Sequence, residues 1–188
     1  MKGKKDFTKI LQDFSDGNLQ SKELMPYIYN ELYALAQAQR QRYNSGETLN
    51  TTALVHEAYL KMVDHSDQNW EARSHFYSVA AKAMRSILVD HAKKHKAAKR
   101  GGGQKPVTYN EELIGSDEMA EKILGLNEAL SRLEKIAGRQ SKVIELRFFC
   151  GFTIEETSKI MGISSATVKR DWNLARSWLY QQMLSDDL

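Results

Sequence analysis

Residues 153–176 place two short helical patterns on either side of one glycine, and this arrangement restricts the fold more than any other part of the chain. Thr153, with Glu156 three residues later, predicts a capping box at the start of the first helix. Gly162 predicts a tight turn, where a positive φ angle favours glycine. Ser164 is then expected to cap a second helix. The segment therefore predicts a helix-turn-helix, a motif that places its second helix in the major groove of DNA.

The second helix of this motif is expected to have one buried side and one exposed side. Val168, Trp172 and Ala175 recur at the spacing of a single buried face. The positions left exposed at its start suit contacts to phosphates and base edges, and they are Ser165, Ala166, Thr167, Lys169 and Arg170. An ordinary pair of packed helices would show the same pattern, so DNA binding is a hypothesis at this point.

Composition limits the class of protein. The 188 residues are 41% hydrophobic and 27% charged, which is enough for a packed core in one domain or two small ones. Cys150 is the single cysteine, so no intramolecular disulfide can form, and we expect it to be a small core residue. No segment approaches the roughly 20 apolar residues of a membrane span, and the basic N-terminus lacks a signal-peptide pattern. These features predict a cytoplasmic protein without membrane insertion.

Charge is distributed unevenly, although the net charge is only +3. Residues 82–105 contain eight Lys or Arg and one acid, Asp90, whereas residues 110–121 contain five acids. A basic block in a nearly neutral chain points to a polyanionic partner. Lys and Arg also favour helix C-termini, but eight cations exceed what capping requires. We therefore favour nucleic acid as the partner of this block.

The apolar spacing predicts an all-α fold. Helices are expected near residues 6–16, from 21 or 22 to about 43, from 51 or 52 to 63, and from about 76 to 100. Three glycines at 101–103 and Pro106 predict a flexible linker, extended by the acidic segment to about residue 117. The prediction is two small helical domains, 1–100 and 118–188, joined by the Gly-rich and acidic linker 101–117, with the helix-turn-helix in the second.

Both halves resemble domains of bacterial sigma factors. The stretch ALSRLEKIAGRQSKVIELRFFCGFTIEETSKIMGISSATVKRDWNLARSWL resembles their promoter-binding C-terminal domain. The stretches TTALVHEAYLKMVD and HFYSVAAKAMRSILVDHAKKHKAAKR resemble the domain that binds core RNA polymerase and opens the minus-ten element. Two such domains in so short a chain resemble the extracytoplasmic-function (ECF) group. The resemblance covers roughly residues 20–183.

The resemblance implies a function without covalent chemistry. Such a protein joins core RNA polymerase, directs it to a promoter, melts the DNA and is then released. The implied partners are core RNA polymerase, promoter DNA and, in many relatives, an anti-sigma protein. No cofactor and no metal are implied.

The resemblance also assigns residues in the first half. The helix at residues 52–63 corresponds to the one that docks on the polymerase, with candidate contacts Glu57, Tyr59, Leu60 and Lys61. We expect Glu57 and Lys61 to be exposed. Single strands bind to cationic grooves with aromatic platforms, so the minus-ten candidates are Arg73, Tyr77, Lys82, Arg85, Lys93, Lys94 and Lys96. Tyr77 is the candidate for stacking a flipped base. Relatives usually carry an aromatic and then an Asn near positions 84 and 85, and this sequence has no Asn there.

In the second half, the resemblance assigns the minus-thirty-five contacts. They are Ser165, Thr167, Lys169 and Arg170 in the recognition helix, Arg176 for the DNA backbone, and Arg139 and Arg147 for phosphates. Three positions depart from the family pattern: Asp171, Trp172 at an inward position, and Thr157 in place of a core Ile. Asp171 could accept from cytosine N4, but we expect it to pair with Lys169 or Arg170.

Enzyme and metal motifs are incomplete, so no enzyme is expected. His56 and Glu57 begin an HExxH pattern whose fifth position is Leu60. His91 and His95 share a helix face, but neighbouring lysines repel a cation. Two alternatives stay open: a stand-alone helix-turn-helix regulator that does not bind core polymerase, and an RNA-binding or antitermination protein that uses the basic block. Stable association with core polymerase distinguishes the sigma-factor hypothesis from both.

Overall fold

A computed structural model of the chain describes residues 7–42, 51–63, 73–100 and 116–185. Within these ranges all regular structure is helical, as the apolar spacing predicts. The elements are α1 (Phe7–Ser15), α2 (Ser21–Arg42), α3 (Thr51–Val63), α4 (Arg73–Arg100), α5 (Asp117–Ile136), α6 (Gly138–Ile144), a π-helical turn (Glu145–Phe149), α7 (Ile154–Met161) and α8 (Ser165–Ser185). None of the described helices is long and apolar enough to span a bilayer.

The first half of the chain packs around α4. The apolar positions of α4 recur every three or four residues, so they form one stripe, and Phe76, Ala80, Met84 and Leu88 are all buried. Helix α3 packs on both α2 and α4, and α1 packs on α2 and α4. As a result α4 lies at the centre of this half, with its remaining faces available to the second half.

The second half packs α5, α6 and α8 around a smaller core. Ser116 caps α5 by accepting a hydrogen bond from the Met119 N–H at 3.1 Å. Leu130 of α5, Val143 of α6 and Val168 of α8 are fully buried. Helix α8 contacts α5, α6 and α7, and it is therefore held on three sides. This scaffold fixes the orientation of the N-terminal end of α8.

The turn between α7 and α8 has the predicted local chemistry. Thr153 and Glu156 form a reciprocal capping box at the start of α7. Gly162 ends α7 in the left-handed region, with φ +64°, and its N–H donates to the Ser158 carbonyl. The Thr167 N–H then donates to Ser164 Oγ at 3.1 Å, so Ser164 caps α8. These bonds fix how sharply the chain turns between the two helices.

The buried face of α8 differs from the prediction at one position. Val168 and Ala175 are buried as expected, but Asp171 is only 1% exposed while Trp172 is half-buried. The Asp171 carboxylate therefore occupies the buried face of α8, where the Trp172 indole was predicted. Thr157 of α7 is fully buried, and its hydroxyl donates to the Thr153 carbonyl at 2.7 Å. Its polar group is satisfied locally.

The two halves share one continuous apolar cluster. It runs from α1–α4 into α5, α6 and α8, and α4 packs against α5, the π-helical turn and α7. The ring of Tyr77 in α4 meets that of Phe152, which precedes α7, edge to face at 4.7 Å. Residues 101–115 of the predicted linker and the predicted loop at 64–68 lie outside the described residues. Asp117 begins α5 instead of ending the linker.

The left-handed conformation of Gly162 leads to a prediction about stability. A Cβ added at Gly162 would meet no atom within 4 Å, so Gly162→Ala costs only backbone strain, roughly 1–2 kcal/mol. Gly138→Ala is the matched control, since a Cβ there is equally uncrowded and its φ is not positive. We expect urea unfolding to show a loss for the first variant and no loss for the second. Equal stability of the two variants would contradict the assignment of the turn.

Candidate nucleic-acid interface

The N-terminal end of α8 presents polar and cationic groups to solvent. Ser165, Lys169 and Arg170 are exposed, and Thr167 is half-buried beside them. Thr167 Oγ1 lies 2.9 Å from Ser164 Oγ, so its hydroxyl belongs to the helix cap as well as to this surface. Two cations on a rigid helix end can bind phosphates, while the hydroxyls can reach base edges.

Asp171 holds an arginine beside this surface. Arg139, at the start of α6, donates from Nε to Asp171 Oδ2 at 2.6 Å and from Nη2 to Oδ1 at 3.1 Å. This two-point bond and the charge of Asp171 raise the pKa of Arg139 above its ordinary value. The expected pairing of Asp171 with Lys169 or Arg170 is wrong in this structure. The partner comes from another helix, and Arg139 stays half-exposed on its outer side.

Two further arginines of the predicted set meet the Trp172 indole. The guanidinium carbon of Arg147 lies 4.0 Å from the ring centroid, and that of Arg176 lies 5.7 Å away. Arg147 is half-buried, and its Nε donates to the Phe152 carbonyl at 3.4 Å. Arg176 is exposed. Arg176 therefore remains available to a DNA backbone, whereas Arg147 mainly contacts protein groups.

Tyr77 does not present its ring to solvent. The side chain is fully buried, its hydroxyl donates to Glu31 of α2, and its ring packs on Phe76 and Phe152. The predicted stacking of a flipped base on Tyr77 is therefore incompatible with this conformation. The sequence pattern did not predict the burial of Tyr77, which lies beside the apolar stripe of α4. The second half of the chain covers this side of the helix.

Arg85 is also buried, with 8% exposure, and so cannot contact DNA in this conformation. Its Nη1 donates to Glu145 Oε1 at 2.8 Å. Its Nε and Nη2 donate to the side-chain and main-chain oxygens of Asn127 at 3.0 and 2.9 Å, and Nη2 also donates to Ser131 Oγ at 2.9 Å. Four hydrogen bonds therefore tie this arginine of α4 to α5 and to the π-helical turn.

The remaining minus-ten candidates divide into paired and exposed groups. Lys82 pairs with Glu134 at 3.4 Å, and Lys96 pairs with Glu121 at 3.0 Å, both across to α5. Lys93 and Lys94 are exposed. Arg73 begins α4, and its side chain lies outside the described residues.

The predicted polymerase-binding face of α3 is partly engaged with α4. Glu57 lies 2.9 Å from His91 Nε2, and Lys61 donates to Ser86 Oγ at 2.7 Å. The ring of Tyr59 packs edge to face on Tyr29 at 5.7 Å. Leu60 is 47% exposed. Glu57 and Lys61 are thus half-exposed instead of fully exposed, and Leu60 is the most accessible of the four.

His91 and His95 of α4 each have a separate acidic neighbour. His91 lies beside Glu57, and His95 Nε2 lies 2.9 Å from Asp117 Oδ1 at the start of α5. Within the described ranges, no group of three or more His, Cys, Asp or Glu side chains could hold a metal ion. The two histidines therefore join helices and share no site.

The partners of α4 in the second half of the chain are not evident from the sequence pattern. Asn127, Ser131 and Glu145 hold Arg85, and Asp117, Glu121 and Glu134 meet other groups of α4. The acidic block at residues 110–121 was a signal for two of them, Asp117 and Glu121. Nothing in the local pattern indicated Glu145, whose carboxylate is buried although it lies between the apolar residues Ile144 and Leu146.

A helical scaffold with cationic and hydroxyl groups on a capped helix end is typical of nucleic-acid-binding proteins. The ECF sigma factor family model matches residues 4–185, almost the whole chain. The chain belongs to the ECF sigma factor family, and its role is that of a sigma factor in transcription initiation. This is a family of non-enzymatic transcription factors. No curated protein and no solved structure gives a significant match to the chain.

Cys150 lies between the two halves and supplies a chemical probe of this region. The thiol is fully buried as expected, and Sγ lies 4.0 Å from the Tyr77 carbonyl of α4. Burial, and secondarily the charge of Glu145, raise the pKa of the Cys150 thiol well above its ordinary value. Because the thiolate is the nucleophile, a raised pKa and burial both suppress reactivity.

We therefore predict slow alkylation of Cys150 by iodoacetamide in the native protein. At a pH near the ordinary thiol pKa of about 8.5, unfolding in urea should accelerate alkylation strongly, since it both exposes and ionises the thiol. Mass spectrometry of quenched samples measures the two rates. Similar rates in the native and unfolded protein would contradict the buried placement.

Proposed function

We propose that this protein binds core RNA polymerase through α3 and directs promoter-specific initiation through α4 and α8. In this proposal, α8 binds the minus-thirty-five element in duplex DNA, and α4 binds the non-template strand as the minus-ten element melts. In this proposal, residues 1–100 and 118–188 are the two binding modules, the second extended by Asp117 at the start of α5, and the linker between them is their tether. An anti-sigma protein is a further candidate partner.

The observation that carries the proposal is the family match over residues 4–185, combined with the cationic end of α8. A capped, rigid helix end with Lys169 and Arg170 exposed suits insertion into a major groove. Two unlike modules on one tether favour a single asymmetric promoter over a palindromic operator. Tethering also raises the effective concentration of the second module once the first is bound.

Run-off transcription with sequencing tests the proposal. Core polymerase and genomic DNA from the source organism are combined with and without the protein. We expect new start sites that share two upstream elements at a fixed separation. Absence of new starts, together with failure to bind core enzyme, would contradict the proposal and favour a stand-alone regulator.

The proposed division of labour predicts the effect of changes in α8. Lys169→Ala combined with Arg170→Ala should abolish promoter-specific initiation and leave core binding intact, because both side chains are exposed at the helix end. Gel filtration with core polymerase and run-off transcription measure the two properties. Loss of core binding in this variant would overturn the division of labour.

Asp171 could either position Arg139 for DNA or simply repel DNA by its charge. The direction in which Asp171→Asn changes the DNA affinity distinguishes the two roles. If Asp171 positions Arg139 for DNA, Asp171→Asn weakens promoter binding by the holoenzyme although it removes a negative charge. Simple electrostatics predicts the opposite. Glu155→Gln is the control, because it removes an exposed carboxylate from α7. Fluorescence anisotropy with promoter DNA distinguishes the two, and stronger binding of Asp171→Asn would exclude the positioning role.

A further inference from the structure

Three neighbouring side chains form the accessible part of the predicted polymerase-binding face of α3. Glu57, Leu60 and Lys61 follow at spacings of three and four residues, so they are neighbours on the helix surface. We call these three residues the α3 patch. Leu60 is 47% exposed and adjoins a carboxylate on one side and an ammonium group on the other. A small apolar centre with a charged rim has the anatomy of a protein–protein interface.

Both charged groups of the α3 patch are held by side chains of α4. His91 Nε2 lies 2.9 and 3.0 Å from the two carboxylate oxygens of Glu57. Because a carboxylate only accepts hydrogen bonds, Nε2 is the donor. Lys61 Nζ donates to Ser86 Oγ at 2.7 Å and lies 3.6 Å from Asp90 Oδ2. Helix α4 therefore fixes the positions of two charged side chains that belong to α3.

The contacts with α4 leave binding capacity on both charged groups. An ammonium group has three donors, and Lys61 directs two of them at α4. A carboxylate has about four acceptor sites, whereas His91 Nε2 supplies a single proton to Glu57. The side chains of Glu57 and Lys61 remain 42% and 38% exposed. Each can therefore still bind a partner in the conformation that α4 imposes.

These polar contacts matter more for binding than for folding. Apolar packing already joins α3 to its neighbours through the buried Leu54, Ala58 and Met62. Ion pairs between accessible side chains add little to the stability of a fold. A free Lys or Glu side chain, by contrast, loses much conformational freedom when it binds a partner. A side chain that is already held in its bound position loses less, so the affinity for the partner rises.

We propose that His91 and Ser86 of α4 are positioning residues for the binding of core RNA polymerase. This inference rests on the proposed function, in which α3 binds the polymerase, and adds two residues of another helix to that interaction. The His91 side chain is only 12% exposed, so it acts through Glu57. Ser86 is half-buried and acts through Lys61. Helix α4 thus supports polymerase binding in addition to its proposed contacts with DNA.

Substitutions of His91 in the full chain test the proposal. His91→Leu removes the hydrogen-bond donor, whereas His91→Gln retains one, because the Gln amide nitrogen can replace Nε2. Glu57→Ala and the double variant with His91→Leu complete a double-mutant cycle. Competition with fluorescently labelled wild-type protein gives the Kd of each variant for core polymerase. Circular dichroism verifies that the variants are folded.

We expect His91→Leu to raise the Kd roughly two- to tenfold, the range implied by the cost of ordering one flexible side chain on binding. His91→Gln should stay near wild type. In the Glu57→Ala background, His91→Leu should have no further effect, because the group through which it acts is gone. Equal Kd values for His91→Leu and His91→Gln, or effects that multiply in the double variant, would overturn the positioning role.

The same cycle separates failure of this proposal from failure of the proposed function. An unchanged Kd for Glu57→Ala would contradict the placement of α3 on the polymerase, and the positioning role would fall with it. A raised Kd for Glu57→Ala together with an unchanged Kd for His91→Leu would leave α3 at the polymerase and overturn the positioning role alone.

A second pair of variants tests the contact with Lys61 independently. Ser86→Ala removes the hydroxyl that accepts from Lys61 Nζ. Ser78→Ala is the matched control, because this half-buried hydroxyl of α4 donates to the Ser74 carbonyl of its own helix at 2.7 Å. We expect Ser86→Ala to raise the Kd for core polymerase several-fold above that of Ser78→Ala. Equal Kd values for the two variants would overturn the role of Ser86.

Discussion

The buried charge of Arg85 is the interaction on which the arrangement of this protein depends. Removing a guanidinium from water costs several kcal/mol unless its hydrogen bonds are replaced. Four bonds to Asn127, Ser131 and Glu145 replace them, and all come from the second half of the chain. The π-helical turn begins at Glu145 and keeps that carboxylate pointing into the interface. The packing of α5 on α4 therefore supplies hydrogen-bond partners to the buried Arg85 guanidinium.

One helix consequently serves two purposes. The apolar stripe of α4 organises the first half, while its cationic side meets the second half in the free chain and, in our proposal, DNA during initiation. Relatives usually carry an Asn near position 85, and an Asn could not reach as far or carry the charge that binds Glu145. Arg85, which departs from the family pattern at this position, is therefore a residue that joins the two halves.

The local features of the fold could be predicted from the sequence, and its long-range pairings could not. The capping box at Thr153 and the left-handed Gly162 depend on neighbours within a few residues, so their chemistry is visible in the sequence. Arg139 lies 32 residues from Asp171, and Arg85 lies 60 residues from Glu145. The basic block and the acidic block are evident in the sequence. Which residues of the two blocks pair with each other is determined by the packing of α4 on α5. The predicted exposure of Tyr77 was wrong for the same reason, since Phe152, which is distant in the sequence, packs against its ring.

The distance between the two halves tests the account most directly. Spin labels at Asn30→Cys on α2 and Ser177→Cys on α8 occupy exposed positions, while the native Cys150 is buried. Pulsed electron resonance would compare the free protein with its complex with core RNA polymerase. The account predicts one narrow, short distance in the free protein and a longer one in the complex. The same distance distribution in both states would contradict it.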